Sequence, residues 1–342
     1  MLNFPAMWGF RVCLSLAFLA TTSLSAQDRF VALHGHVFRV AADDTLAQVM
    51  YSKPGEDNLR FGSTEARISP DQRWVAWIGD NSVWLRSTSG RPAVRIAAGK
   101  PAQGRFGSVD VFLVGFTPDS RHLLYSVAPG GPACFDCEEP PPAPQEADYG
   151  FFLYDIASSR AVKKAVPEST RVLDIVGPDR LFIANIGPYG DQLGFMDLPA
   201  RTFRALPQQC AAATACTVRP DARHPACMAV TGGSSHIVEC DTGANSARNA
   251  SPVGRCAKEF QQPLRSPDGK HLAFAQRTRN CTSDSLRLWI DRQPRFECKA
   301  FSGYAWIDDA RILLGCGDRA IVIDLAGRRL SSAPLDAPPQ GR

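Results

Sequence analysis

The sequence predicts an all-β fold: a single β-propeller of four-stranded antiparallel blades, with seven blades favoured over six or eight. Three observations carry that reading. A Pro-Asp pair recurs along the chain at a period in the forties, each copy leads into a short apolar run, and no amphipathic run is long enough for a stack of helical repeats. The 27 glycines and 26 prolines among 342 residues cut the chain into short segments, which leaves little room for long helices.

The pair occurs in Ser69-Pro70-Asp71, Thr117-Pro118-Asp119, Gly177-Pro178-Asp179, Arg219-Pro220-Asp221 and Ser266-Pro267-Asp268, with a worn copy at Ile307-Asp308-Asp309. The intervals between copies are 48, 60, 42, 47 and 41 residues. Pro presets the backbone angle of a tight turn, Asp bonds a nearby amide, and Gly269 supplies the positive angle in the cleanest copy. The runs that follow, at 74–78, 122–125, 181–184, 227–230, 272–275 and 312–314, read as strands. A second strand ending in Asp or Ser comes after each, at 83–87, 152–155, 193–197, 236–241, 286–291 and 320–324. Residues 37–43 match that second strand without a first. The recurring Asp155, Asp197, Asp241, Asp291 and Asp324 read as turn formers bonding their own backbone, not as a calcium set. Ring closure is expected to pair strands from residues 29–51 with the end of the last unit, because a ring leaves no exposed sheet edge.

Ser266-Pro267-Asp268-Gly269-Lys270-His271-Leu272-Ala273-Phe274, followed by Leu288-Trp289-Ile290-Asp291, resembles the repeat of the TolB-like, WD-repeat-like β-propellers. The resemblance spans residues 65–327, although the units at 178 and 308 lack the full motif. It implies cell-envelope protein binding, or gating of an attached hydrolase. No G-x-S-x-G nucleophile turn occurs, and only Leu325 to Arg342 follow Asp324, so the propeller is expected to stand alone.

Residues 1–26 carry one charge, Arg11, then the apolar run Val12 to Ala20 and a small-residue stretch to Ala26, the pattern of a secretory signal peptide. The expected organisation is a signal peptide over 1–26, a propeller over 28–333 with a Pro-rich insertion at 128–148, and a flexible tail over 334–342. No membrane span is expected after cleavage, and the compartment is periplasmic or extracellular. With 38 Lys+Arg against 34 Asp+Glu and no run of basic residues, nothing points to nucleic acid or an anionic lipid surface. A monomer is expected.

Eleven cysteines less Cys13 leave ten in the mature chain, which an oxidising compartment would pair. Spacing groups them as neighbours: Cys134 with Cys137, Cys210 with Cys216, Cys227 with Cys240, Cys256 with Cys281, and Cys298 with Cys316. Cys134-x-x-Cys137 lacks the second ligand pair of a zinc site and the helix of a redox motif. His34-Gly35-His36 has metal-binding spacing but no third ligand nearby, so no metal, cofactor or catalytic residue is assigned. Most of Trp74, Trp77, Trp84, Trp289 and Trp306 are expected to pack between blades. Asn280-Cys281-Thr282 matches a glycan acceptor.

The insertion cannot join a sheet, since Pro140, Pro141, Pro142 and Pro144 donate no hydrogen bonds. It is expected to project, with Phe135, Asp136, Glu138 and Glu139 as contact residues for a partner. Two classes of function remain open from sequence alone. One is a non-catalytic protein-binding or scaffold module of the cell envelope. The other is a propeller enzyme, lactonase- or lyase-like, with its site at the central channel.

Overall fold

The structure, a computed structural model, describes residues 28–33, 36–51, 66–101, 108–130, 148–167, 170–186, 191–251, 254, 259–261, 263–277 and 285–335. Seven antiparallel sheets follow one another along the chain, each with its strands in sequence order. The first holds β1 (Arg29–Leu33), β2 (His36–Val40) and β3 (Leu46–Tyr51), and the second β4 (Arg67–Ile68), β5 (Trp74–Gly79), β6 (Ser82–Ser87) and β7 (Val94–Ala98). The third holds β8 (Val109–Phe116), β9 (His122–Pro129), β10 (Gly150–Asp155) and β11 (Arg160–Lys164). In the fourth are β12 (Thr170–Gly177), β13 (Arg180–Asn185), β14 (Gln192–Asp197) and β15 (Thr202–Ala205). The short helix α1 (Gln208–Ala211) leads into the fifth, which holds β16 (Ala215–Thr217), β17 (Ala226–Thr231), β18 (Ser234–Asp241) and β19 (Ser246–Asn249). The sixth holds β20 (Leu264–Arg265), β21 (Leu272–Arg277), β22 (Leu286–Ile290) and β23 (Gln293–Cys298), and the seventh β24 (Phe301–Trp306), β25 (Arg311–Cys316), β26 (Arg319–Asp324) and β27 (Arg329–Pro334). No helix among the described residues is long and apolar enough to cross a membrane.

The apolar core fixes the blade number. It divides into seven clusters, and each joins one pair of adjacent sheets, including the last to the first through Ile307, Leu313 and Val322 against Val31, Leu33, Phe38 and Val40. Seven interfaces between seven sheets make a closed ring, a seven-bladed β-propeller. Middle strands such as β13 and β25 are buried on both faces, whereas outer strands such as β11 and β15 are largely exposed, as radial packing requires. Trp74 and Trp77 pack in inter-blade clusters, and Trp306 crosses a blade boundary to donate from Nε1 to the Leu264 carbonyl at 3.1 Å.

Two expectations about the ends need correction. Residues 37–40 do have a preceding strand, β1, in a first blade that shows three strands among the described residues. No ladder joins β27 to β1, β2 or β3, because the last sheet draws all four of its strands from its own unit and leaves no vacancy. Closure is by packing, fastened by Arg311, whose Nη1 lies 2.5 Å from Asp44 Oδ1 and whose Nη2 lies 2.6 Å from Asp308 Oδ2. At the insertion, β9 runs on through Ala128 and Pro129, which face Asp110 and Val109; at the end of the chain, β27 reaches Pro334.

The Pro-Asp turns have a common construction in the second, third and sixth blades. Ser69, Thr117 and Ser266 are fully buried. Each hydroxyl donates to the following Asp carboxylate, at 2.6, 2.5 and 2.6 Å, and accepts the amide of the residue five positions on, at 2.9, 3.0 and 3.0 Å. Positive φ falls at Gln72, Ser120 and Gly269, where the turn closes. The turn also reaches the next blade: Asp71 N donates to Ser120 Oγ at 3.0 Å, and Asp268 N to Asp309 Oδ1 at 2.7 Å. The aspartates ending third strands cap the adjacent turn, Asp155 accepting from Ser158 N, Asp197 from Ala200 N, and Asp241 from Gly243 N and Ala244 N.

Three disulfides lie among the described residues. Cys298–Cys316 is the pair that spacing suggested. The other two are Cys210–Cys240 and Cys216–Cys227, in place of the expected Cys210–Cys216 and Cys227–Cys240. Cys216 and Cys227 face each other directly across the β16–β17 ladder, with Cα atoms 4.0 Å apart, whereas Cys227 faces Val238 and not Cys240. Helix α1 tucks into the cleft between the fourth and fifth blades and brings Cys210 to Cys240.

Candidate functional site on the Pro-Asp rim

The Pro-Asp turns and the turns after each third strand share one rim of the ring, because both join strand ends on that side. On its inner side lies Arg219, which directly precedes Pro220 in the fifth blade. Its Nη2 donates to the carbonyls of Phe116 in the third blade, at 2.5 Å, and Ile175 in the fourth, at 2.7 Å, and pairs with Asp174 Oδ1 at 2.8 Å. One side chain of the fifth blade thus ties the ends of the inner strands β8 and β12 of the third and fourth.

Beside it, between the fifth and sixth blades, a groove of about 470 Å³ is lined by Asp221, His224, Glu239, Asp241, Arg248 and Arg265, with Cys240 and Gly269 also in its wall. Arg265, at the end of β20, donates to the His224 carbonyl at 3.1 Å and to Glu239 Oε1 at 2.6 Å. Both side chains are nearly buried, at 10% and 13% exposure, so this pair is fixed in place. Arg248 reaches the other oxygen of Glu239 at 2.9 Å from an exposed position. His224 Nδ1 lies 2.5 Å from Asp221 Oδ2, and its Nε2 lies 3.9 Å from Asp241 Oδ2.

Imidazole–carboxylate pairing alone does not mark a site here. His122 pairs with Asp155 at 3.3 Å and His271 with Asp291 at 2.5 Å in other blades. What distinguishes the groove is the additional Asp221, Glu239, Arg248 and Arg265. Burial works against ionisation of Asp221, but the bonds from His224 and from Arg223 N outweigh it and hold the carboxyl below its usual range. The Ala244 amide, above all, does the same for Asp241. The groove therefore offers fixed charges of both signs.

Among the described residues, the one group of three or more side chains close enough to share a metal ion is Cys210, Cys227 and Cys240. The expected contact residues Phe135, Asp136, Glu138 and Glu139 lie outside the described residues, as do Cys134, Cys137, Cys256, Cys281, His34 and Asn280. His36 opens β2. Sequence reasoning missed Arg219, Glu239 and Arg265. A signal was present: a basic residue stands one to three positions before the pair in Arg67-Ile68-Ser69-Pro70, Arg219-Pro220 and Arg265-Ser266-Pro267, in or just after an innermost strand.

No protein-family model matches the chain, and no curated protein matches its sequence. Solved structures do resemble it. One is an oligogalacturonate lyase from Vibrio parahaemolyticus, 11% identical with a TM-score of 0.54, covering 85% of this chain and 83% of that one. Another is an oligogalacturonate lyase in complex with manganese, 10% identical with a TM-score of 0.50, covering 82% and 79%. TolB from Acinetobacter baumannii is 13% identical with a TM-score of 0.46, covering 86% and 74%. At such identities the likeness to the two lyases is one of fold. The chain is a seven-bladed propeller, and a propeller is the fold that the TolB-like repeat in its sequence implies.

Proposed function

We propose that the protein is an exported, non-catalytic propeller that holds a protein partner or other envelope component on its Pro-Asp rim. The observation that carries this reading is the groove between the fifth and sixth blades, where Arg265 and Arg248 on Glu239 and His224 on Asp221 fix charges of both signs. Such a surface recognises a complementary charge pattern. Export is supported by the pattern of residues 1–26 and by buried disulfides, which suit an oxidising compartment. The test is recovery of partners from an envelope extract by the mature chain and by two variants: Arg248→Glu with Asp221→Asn, and deletion of residues 131–147. Loss with the first variant places recognition in the groove, and loss with the second places it in the Pro-rich insertion. Undiminished recovery with both would end the reading.

A second reading, a channel enzyme, draws on the short His224–Asp221 contact and on the fold shared with the two lyases. Elemental analysis of the purified mature chain separates the two. A stoichiometric divalent ion that survives dialysis and is lost on replacing His224 or Asp221 would favour the enzyme.

A further inference from the structure

We propose that the four buried cysteines of the fifth blade form a closed site for a soft divalent cation such as Zn²⁺ whenever both of their disulfides are reduced. The sulfurs come from four elements, Cys210 on α1, Cys216 on β16, Cys227 on β17 and Cys240 on β18, in the spacing C-x5-C-x10-C-x12-C. Cys210 and Cys227 are fully buried, Cys240 is 2% exposed and Cys216 8%. The Sγ atoms of Cys210, Cys227 and Cys240 lie within 4.8 Å of one another, and Cys216 is bonded to Cys227.

Geometry favours a tetrahedral ion. Zinc–thiolate bonds of about 2.3 Å place the sulfurs of a tetrahedron about 3.8 Å apart. Cys227 Sγ and Cys240 Sγ, which belong to different disulfides, are already 3.7 Å apart. Reduction frees the two bonded edges to open, and Cys216 Sγ, which lies beyond 4.8 Å of at least one of the other sulfurs, has to swing inward by a change of χ1 to complete the tetrahedron. Phe182, Leu193, Phe195, Val218 and Val238 pack around the sulfurs, so the site has no position for water and is structural in kind.

The chemistry balances with a dithiol as reductant. Each disulfide takes two electrons and two protons from a dithiol, which closes to its own disulfide, and Zn²⁺ then displaces the thiol protons to solvent. The ion would hold α1 in the inter-blade cleft as Cys210–Cys240 does in the oxidised chain. The inference is independent of the groove and of any partner.

A variant with serine at Cys134, Cys137, Cys256, Cys281, Cys298 and Cys316 keeps these four thiols in the mature chain. After reduction and anaerobic removal of the reductant, titration with Cd²⁺ should reach one ion per chain with a sulfur-to-metal charge-transfer band. Co²⁺ should give the intense visible bands of a tetrahedral thiolate, and Zn²⁺ should slow reoxidation at least tenfold. No band, or an unchanged band and stoichiometry after Cys227→Ser, overturns the proposal. If the reduced variant loses its β signal in circular dichroism, restoration by Zn²⁺ supports the site and failure to restore it counts against it. In the unaltered chain under partial reduction, Cd²⁺ should shield Cys210, Cys216, Cys227 and Cys240 from alkylation but leave Cys298 and Cys316 open. Equal labelling of all six would likewise overturn the site.

Discussion

The fifth and sixth blades solve one structural problem by different means. In the sixth, Ser266, Pro267 and Asp268 lock the turn with short-range hydrogen bonds, and Asp268 N reaches Asp309 in the next blade. In the fifth, the position of Ser266 is held by Arg219, which has no hydroxyl to offer, and the turn is open enough for Asp221 to bond His224. The compensation is covalent and apolar: two disulfides and α1 wedged into the neighbouring cleft. The sixth blade keeps its motif and carries one cross-link, Cys298–Cys316 to the seventh, whereas the fifth, whose motif has lost its hydroxyl, has both of its own disulfides, and its wall forms half of the groove.

This contrast is open to measurement, and the disulfides carry the largest effect. Replacing Cys210 and Cys240 with serine should lower stability by about 3 kcal/mol, since the bridge closes a long loop. Urea midpoints of the oxidised variant and parent would check it, and equal midpoints would show that the fifth blade does not depend on its cross-link. Ser266→Ala removes the acceptor of His271 N and should cost about 1–2 kcal/mol. The same measurement on Thr117→Val should give a similar loss, whereas no loss at either position would strip the motif of its structural meaning. At the ring boundary Arg311→Met should cost about 1 kcal/mol, because its two carboxylate partners remain partly hydrated. Hydrogen exchange should then quicken in β1 before it does in β21 or β22.

Acid should expose the same contrast from another side. The hydroxyl of Ser266, above all, with Lys270, holds the Asp268 carboxyl far below the usual range. Burial opposes ionisation of Asp119, but the Thr117 hydroxyl and Arg121 amide prevail and lower it as well. A carboxyl with a lowered folded-state pKa contributes stability above its unfolded value, about 4, and that contribution is lost as pH falls through the folded pKa. Midpoints should hold level from neutral pH to about pH 5 and decline below about pH 4. Ser266→Ala should make the decline shallower, and an unchanged slope would detach Asp268 from the acid response.

Much of the ring was legible because its signals are local. The Pro-Asp pair, the alternating run after it and the closing aspartate lie close together in each unit, so the bonds that shape a blade are written within it. The groove was not legible, because its parts come from different blades, Glu239 from β18 and Arg265 from β20; nor was Arg219, which reaches carbonyls 103 and 44 residues away. The disulfides failed for a related reason. Nearest-neighbour spacing ignores the ladder, which sets Cys216 against Cys227 and leaves Cys240 to the helix. The closure was misjudged because nothing in the last unit announces that it already holds four strands.

That closure has a mechanical consequence. With no strand lent from one end of the chain to the other among the described residues, the molecule is an arc whose two tips are clasped by side chains. Tension applied to the ends would part that single joint first, and the unrolled arc would still carry every sheet folded.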